Sequence, residues 1–259
     1  MLTLTDIKLS KQIGITDIAI MPNAYRVAVA TTNRDICFYE IATGVLCNRI
    51  IGITDMVTDL HYTSIASDTG LLVWGDMAGC VGILELTQTT TRLFNSSESS
   101  WGDGITIHAR SLKTSDPSAP ARLQMVRSHC AVQEEVDRSV KKVEYCSALD
   151  AVISCAAIAK SSLAIRDLKR PEVGGFNFHM PKGCNSFAHS ADTNLIATAG
   201  GDGVVRLWNP YVPTHAVAEL QGHSAPVLHV VFNNSYGQVI SVCANEAIRI
   251  WDVQDQVGI

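Results

Sequence analysis

Several signatures are missing from this chain of 259 residues, and each absence narrows what it does. Charge is scarce, with Asp, Glu, Lys and Arg together making 17% of the residues and a net charge of −5. Nucleic acids and acidic membranes reward clustered Lys and Arg, so neither is expected as a partner. No run of about 18 apolar residues is present to span a bilayer, and the opening "MLTLTDIKLSK" lacks the apolar stretch of a signal peptide. The expectation is an intracellular, cytoplasmic protein. Eight cysteines are scattered through apolar stretches with no CxxC pair among them, which reads as reduced thiols serving as small core hydrophobes. The sequons at Asn95 and Asn233 are then chance matches.

Catalytic patterns are missing as well. The eight histidines form no HExxH and have no partner at metal spacing. His189 and His229 fall in expected first strands, where they read as ordinary core or surface residues. No GxSxG elbow marks a nucleophile, and "AGGDG" (199 to 203) is neither a dinucleotide fingerprint nor a phosphate loop. A hairpin turn accounts for its glycines. No catalytic residue, cofactor or metal site is expected.

What the chain does have is repetition. "IATAGGDGVVRLWN" (196 to 209) aligns without a gap on "VISVCANEAIRIWD" (239 to 252), with Trp208 on Trp251, 43 residues apart. Thr198 then falls on Ser241, Asp202 on Asn245 and Arg206 on Arg249. Both copies read as strand, turn, strand. A unit of about 40 to 45 residues with Gly-His ahead and Trp-Asp behind is the pattern of a four-stranded propeller blade, and Gly222-His223 and Trp251-Asp252 supply both ends. Weaker copies lie upstream: "YRVAVATTNRDICFYEIATG" (25 to 44), "GLLVWGDMAGCVGILELTQ" (70 to 88) and "AVISCAAIAKSSLAIRDLKR" (151 to 170). With 47% hydrophobic residues the chain can fill several small stacked cores. The expected fold class is all-β, with five blades at about 11–52, 53–131, 132–182, 183–222 and 223–259.

The end markers Tyr39, Leu84, Arg166, Trp208 and Trp251 are spaced 45, 82, 42 and 43 residues apart, so one interval is nearly double. "WGDGITIHARSL" (101 to 112) imitates a glycine turn and third strand, but too few residues precede it for two more strands. An insertion at about 93–120 is expected instead, flexible because "NSSESS" and "SDPSAPA" bury too little to order themselves. Trypsin is expected to cut there first, near Arg92, Arg110 or Lys113. "ARLQMVRSHCA" (121 to 131) is the candidate outer strand that resumes the second blade.

The last two copies resemble WD-repeat proteins. The earlier phrases "VAVATTNRDICFYEI", "LLVWGDMAGCVGIL" and "VISCAAIAKSSLAIRDL" resemble the large WD-repeat proteins of cilia and sperm flagella, which often carry EF-hand segments; this chain contains no D-x-D-x-D-G loop. The resemblance implies a WD-type β-propeller. It also implies a buried hydrogen-bond set in each well-formed blade: His223, Ser241, Asn245 and Trp251 in the last, Thr198, Asp202 and Trp208 in the fourth. The first three blades lack the set, so apolar packing alone is expected to hold them. The implied function is a non-catalytic scaffold of the ciliary or flagellar axoneme, a cytoskeletal assembly whose partners are other axonemal proteins or tubulin. The rival is a cytosolic adaptor, a subunit of a ubiquitin ligase or trafficking coat that captures a peptide. Five copies fall short of the usual seven blades, and the last ends without an outer strand. Either the N-terminal "LTLTDIKLSK" supplies that strand, or the ring stays open and a partner strand or chain completes it.

Overall fold

In the computed structural model the described residues are 13–87, 105–109, 121–129, 137–169 and 175–258. The N-terminal stretch proposed to fold back, the tryptic sites Arg92, Arg110 and Lys113, and Cys130 all lie outside them. The described secondary structure is twenty strands and two single-turn 3₁₀ helices, Pro22–Ala24 and Asn234–Tyr236. No described helix is long and apolar enough to cross a membrane. The chain divides into two compact units, Met1–Val126 and Arg127–Ile259.

The first unit holds two sheets. One is built from β1 (Ile15–Met21), β2 (Arg26–Thr31), β3 (Asp35–Glu40) and β4 (Leu46–Ile51) in order, joined by antiparallel ladders. The other runs β5 (Val57–Ala66), β6 (Thr69–Asp76), β7 (Cys80–Thr87) and then β9 (Ala121–Arg127). Alternation decides the packing, because residues of period two share one face of a strand. Ala19, Ala28, Ala30, Ile36 and Phe38 on one face of the first sheet share a core with Val57, Leu60 and Leu72 of the second.

The insertion is not loop throughout. β8 (Ile105–His108) lies within it and extends the first sheet, running parallel to β4 with Asn48 opposite Ile105 and Ile51 opposite His108. Ile107 and Ala109 are buried there. Residues 105–108 fall inside the stretch expected to be flexible because the polar segments "NSSESS" and "SDPSAPA" flank them. Their partner is the outer edge of a different sheet, where unpaired backbone groups offer a ready ladder, and no local pattern reveals that pairing.

The second unit holds three sheets. The third is β10 (Val140–Cys146), β11 (Ala151–Ala156), β12 (Leu163–Asp167) and β13 (Gly175–Phe178). The fourth is β14 (Cys184–Ser190), β15 (Leu195–Gly200), β16 (Val205–Trp208) and β17 (Ala218–Leu220). The last has three strands, β18 (Val227–Asn233), β19 (Gln238–Cys243) and β20 (Ile248–Asp252). Beyond its ladder with β19, the described pairing of β20 is one isolated bridge between Trp251 and Gly258. Every sheet opens with a first strand carrying a bulge near its start, at Ile15/Asp17, Val57/Asp59, Val140/Lys142, Cys184/Ser186 and Val227/His229. That recurrence marks one unit repeated five times, an all-β fold of blade-type sheets.

Polar pins inside the blades

The last sheet is tied through one serine. Ser241 on β19 sits two residues along from Val239, the partner of Trp251 in the ladder, so both side chains share the buried face. The indole Nε1 donates to Ser241 Oγ at 2.8 Å, and His223 Nε2 lies 2.7 Å from the same oxygen. The imidazole meets the indole edge-on, with centroids 5.9 Å apart. Gly222 beside the histidine has φ +155°, which favours glycine, and an added Cβ would stand 3.2 Å from the Arg249 guanidinium and 3.3 Å from the Trp251 ring. Burial first, and the charge of Arg249 second, hold the His223 pKa below its usual value.

Asn245 does not join this set. Its Oδ1 accepts from the Cys243 thiol at 2.6 Å, and its Nδ2 donates to Ser224 Oγ at 3.0 Å, while among the described residues His223 Nδ1 has no hydrogen-bond partner. Asn245 therefore closes its own turn rather than orienting the histidine.

In the fourth sheet Trp208 Nε1 donates to Thr198 Oγ1 at 2.9 Å, and Phe178 meets the indole edge-on at 5.3 Å. Asp202 again stands apart, clasping Arg206 with two bonds, Nη1 to Oδ1 at 3.0 Å and Nη2 to Oδ2 at 2.7 Å. Arg206 Nε also donates to Glu219 Oε1 on β17 at 2.8 Å. Burial works to raise the Asp202 carboxyl, but the Arg206 bonds and charge outweigh it and hold the group below its ordinary range. Asp202 thus fastens the hairpin turn to the third strand through Arg206, which itself ties on to the fourth. The first sheet has a related clasp in which Asp35 on β3 takes Arg49 of β4 and the hydroxyl of Thr31.

The third sheet overturns the expectation of apolar packing alone. His129 Nε2 lies 2.9 Å from Ser154 Oγ, and Ser154 occupies on β11 the ladder position of Ser241 on β19. The ring's Nδ1 is 2.5 Å from the Ser161 carbonyl oxygen. A carbonyl only accepts, so Nδ1 carries the proton and Ser154 donates to Nε2. Burial pushes the His129 pKa down to about 4 and keeps the ring neutral. Arg166 stands where Trp251 stands in the last sheet and donates to Asn177 Oδ1 at 2.6 Å. The recurrence escaped sequence reading because His129 precedes its serine by 25 positions, against 18 for His223. In the second sheet Trp74 takes the serine's place on the second strand; a Cβ on Gly82 across the ladder would lie 2.1 Å from its ring. The indole fills the room that a side chain at residue 82 would need.

A serine beside a histidine is also the start of a nucleophilic dyad, and the geometry decides against that use. Ser241 is 0% exposed and its oxygen already receives the indole proton, while Ser154 and His129 are buried too. Cys146 Sγ lies 3.3 Å from His189 Nδ1. Burial raises that thiol and lowers that imidazole, so the pair rests neutral rather than as thiolate and imidazolium. The seven described cysteines are buried thiols held in no disulfide. Among the described residues no group of three or more His, Cys, Asp or Glu could hold a metal ion.

Residues 171–209 and 215–252 match the family described as WD domain, G-beta repeat. These two segments are similar to WD repeats. The "WD repeat-containing protein on Y chromosome" of Drosophila pseudoobscura pseudoobscura is 34% identical over 79 residues, which is 30% of this chain and 7% of that protein. Its counterpart in Drosophila ananassae matches to the same extent. The matched stretch thus spans a small part of these relatives. A computationally designed protein, Ika8, aligns with 92% of this chain and 58% of its own at a TM-score of 0.58 and 13% identity, a likeness of fold alone. WD propeller proteins are generally non-catalytic, and WD repeats serve as protein interaction modules.

Proposed function

We propose that this chain is a non-catalytic scaffold that holds other proteins in a large assembly, and that the assembly is the ciliary or flagellar axoneme. The observation that carries the scaffold reading is the last sheet, whose third strand β20 has Ile248 and Ile250 exposed beside backbone that no described fourth strand covers. Such an edge takes up a strand or an apolar face from a partner. The axonemal reading is supported by the resemblance of the first three copies to the WD-repeat proteins of cilia and flagella. It is tested by expressing the tagged chain in ciliated cells and extracting them with detergent. Retention with the axonemes is the expected result. A tag released entirely into the soluble fraction, bound to ligase or coat subunits, overturns the axonemal assignment in favour of a cytosolic adaptor.

A further inference from the structure

We propose that the outer edge of the first sheet is a docking groove for an extended segment of a partner protein, and that β8 is its resident, exchangeable occupant. β8 is not one of the blade's own strands. The first sheet already has its four in β1 to β4, the fourth place of the second sheet is filled by β9, and β8, which lies between β7 and β9 in sequence, is a fifth strand on the neighbouring sheet. The edge reads what lies on it. Ile107 stands opposite Ile50, and both are buried with Ala109 in the core that the two sheets of the first unit share. Between Ile107 and Ala109, His108 lays its imidazole on Gly52, where an added Cβ would stand 2.3 Å from the ring and the φ of +75° favours glycine. The groove thus selects an apolar side chain, a flat ring and a small residue in succession.

The resident strand holds this edge by little. Its described ladder is four residues long and parallel, a pairing slightly less stable per residue than an antiparallel one, and Thr106 and His108 are exposed. Elements with so few buried contacts open locally at far less cost than the whole fold. β8 also leaves an apolar corner in water: Ile41 is 46% and Val45 56% exposed on the turn before β4, and Leu46, its first residue, is 38% exposed. A partner strand in the same parallel register, longer toward its N-terminus, reaches this corner with the residues ahead of the Ile105 position. At those sequence positions this chain has Gly102, Asp103 and Gly104, poor strand formers with no apolar side chain. Apolar residues in their place cover Ile41, Val45 and Leu46. The occupant is therefore an extended segment that repeats the Ile-His-Ala pattern of residues 107–109 behind an apolar start, added to the sheet as a strand.

The test uses the full 259-residue chain and a fluorescein-labelled peptide in which Ile-Thr-Ile-His-Ala, the sequence of residues 105–109, follows Val-Thr-Val, with lysines at both ends for solubility. Fluorescence anisotropy reads binding, and circular dichroism checks that each variant keeps the fold. The wild-type chain is expected to bind the peptide saturably. Ile107→Asp, which detaches the resident strand, is expected to bind about tenfold tighter or better, because an intramolecular competitor is removed. Leu46→Glu, at an exposed site, is expected to weaken binding to the otherwise unchanged chain, so the proposal stays testable should Ile107→Asp not fold. A peptide with Asp in place of its second isoleucine is expected not to bind. Failure of the wild-type chain to bind at any concentration overturns the proposal and leaves β8 a permanent fifth strand. Equal binding of the Asp peptide, or binding unmoved by Leu46→Glu, overturns it as non-specific adhesion. Retention with axonemes is a separate measurement, so either reading can fail alone.

Discussion

A single hydroxyl on the second strand organises the interior of three of the five blades. Thr198, Ser241 and Ser154 hold the same ladder position, and each meets an aromatic N–H, a histidine nitrogen or both. Trp251→Ala removes a large buried ring and leaves Ser241 and His223 without their common partner. The expected cost is about 3 to 5 kcal/mol, read from denaturant melts. Trp251→Phe keeps most of the ring but deletes the N–H donor, and a smaller loss of about 1 kcal/mol is expected. Equal melting of Trp251→Ala and the parent would show that the indole does not pin the blade. At the next position along this logic, Asp202→Ala withdraws two charged hydrogen bonds from Arg206, whose side chain is nearly buried. Glu219 remains as a partner, so the expected loss is about 1.5 to 3 kcal/mol. Adding Glu219→Ala should then cost more in that background than in the parent.

Strands in this chain are set by alternation, yet which edges meet is a question of elements. β8 is the case in point, since its four residues join β4 across more than fifty positions of sequence as a parallel strand. Ile107 is its buried anchor. Ile107→Asp places a carboxylate in an apolar core, so β8 is expected to detach rather than bury the charge. Hydrogen exchange of the β4 amides, Leu46 to Ile51, checks this: protection should fall on the edge facing β8 and persist on the edge facing β3. Unchanged protection throughout β4 would mean that β8 contributes nothing to the sheet. A complementary measure is limited trypsin digestion, in which Arg206, held in a strand paired on both sides, should be cut late.

Two buried titrating groups tilt the stability of the molecule in opposite directions with pH. Burial pushes the Asp76 carboxyl up from 3.8 to about 6, against the hydrogen bonds it accepts from the Ala78 and Cys80 amides. An acid raised in the folded state contributes stability below its unfolded pKa and loses that contribution as pH climbs through about 6. His129 is a base lowered to about 4, so its contribution is present above about 6.5 and is lost as pH falls through about 4. The two windows overlap. Asp76→Asn keeps an amide oxygen for both backbone donors and removes the charge, so the variant is expected to gain stability above pH 6 and little near pH 4. His129→Gln should flatten the acid limb, a change in slope that a merely weakened core would not produce. Thermal melts from pH 4 to 7.5 separate these outcomes, each falling on the unit that carries the residue.

The sequence alone determined the repeated strand-turn-strand unit, because alternation and a tryptophan returning after 43 residues are local features that survive in one dimension. The resemblance of the last two copies to WD repeats also pointed to their indole pins, in which Thr198 and Ser241 lie ten residues from Trp208 and Trp251 across a single hairpin. Tertiary structure decided the rest. His129 meets Ser154 across 25 positions rather than the 18 between His223 and Ser241, and a serine beside an arginine gives no signal of a pin at all. Asp202 and Asn245 align in sequence, but the neighbour each meets differs: a long arginine in one blade, a thiol and a serine in the other. A strand carries its partner's periodicity but not its address, so the parallel pairing of β8 with β4 appears only when the elements are placed in space.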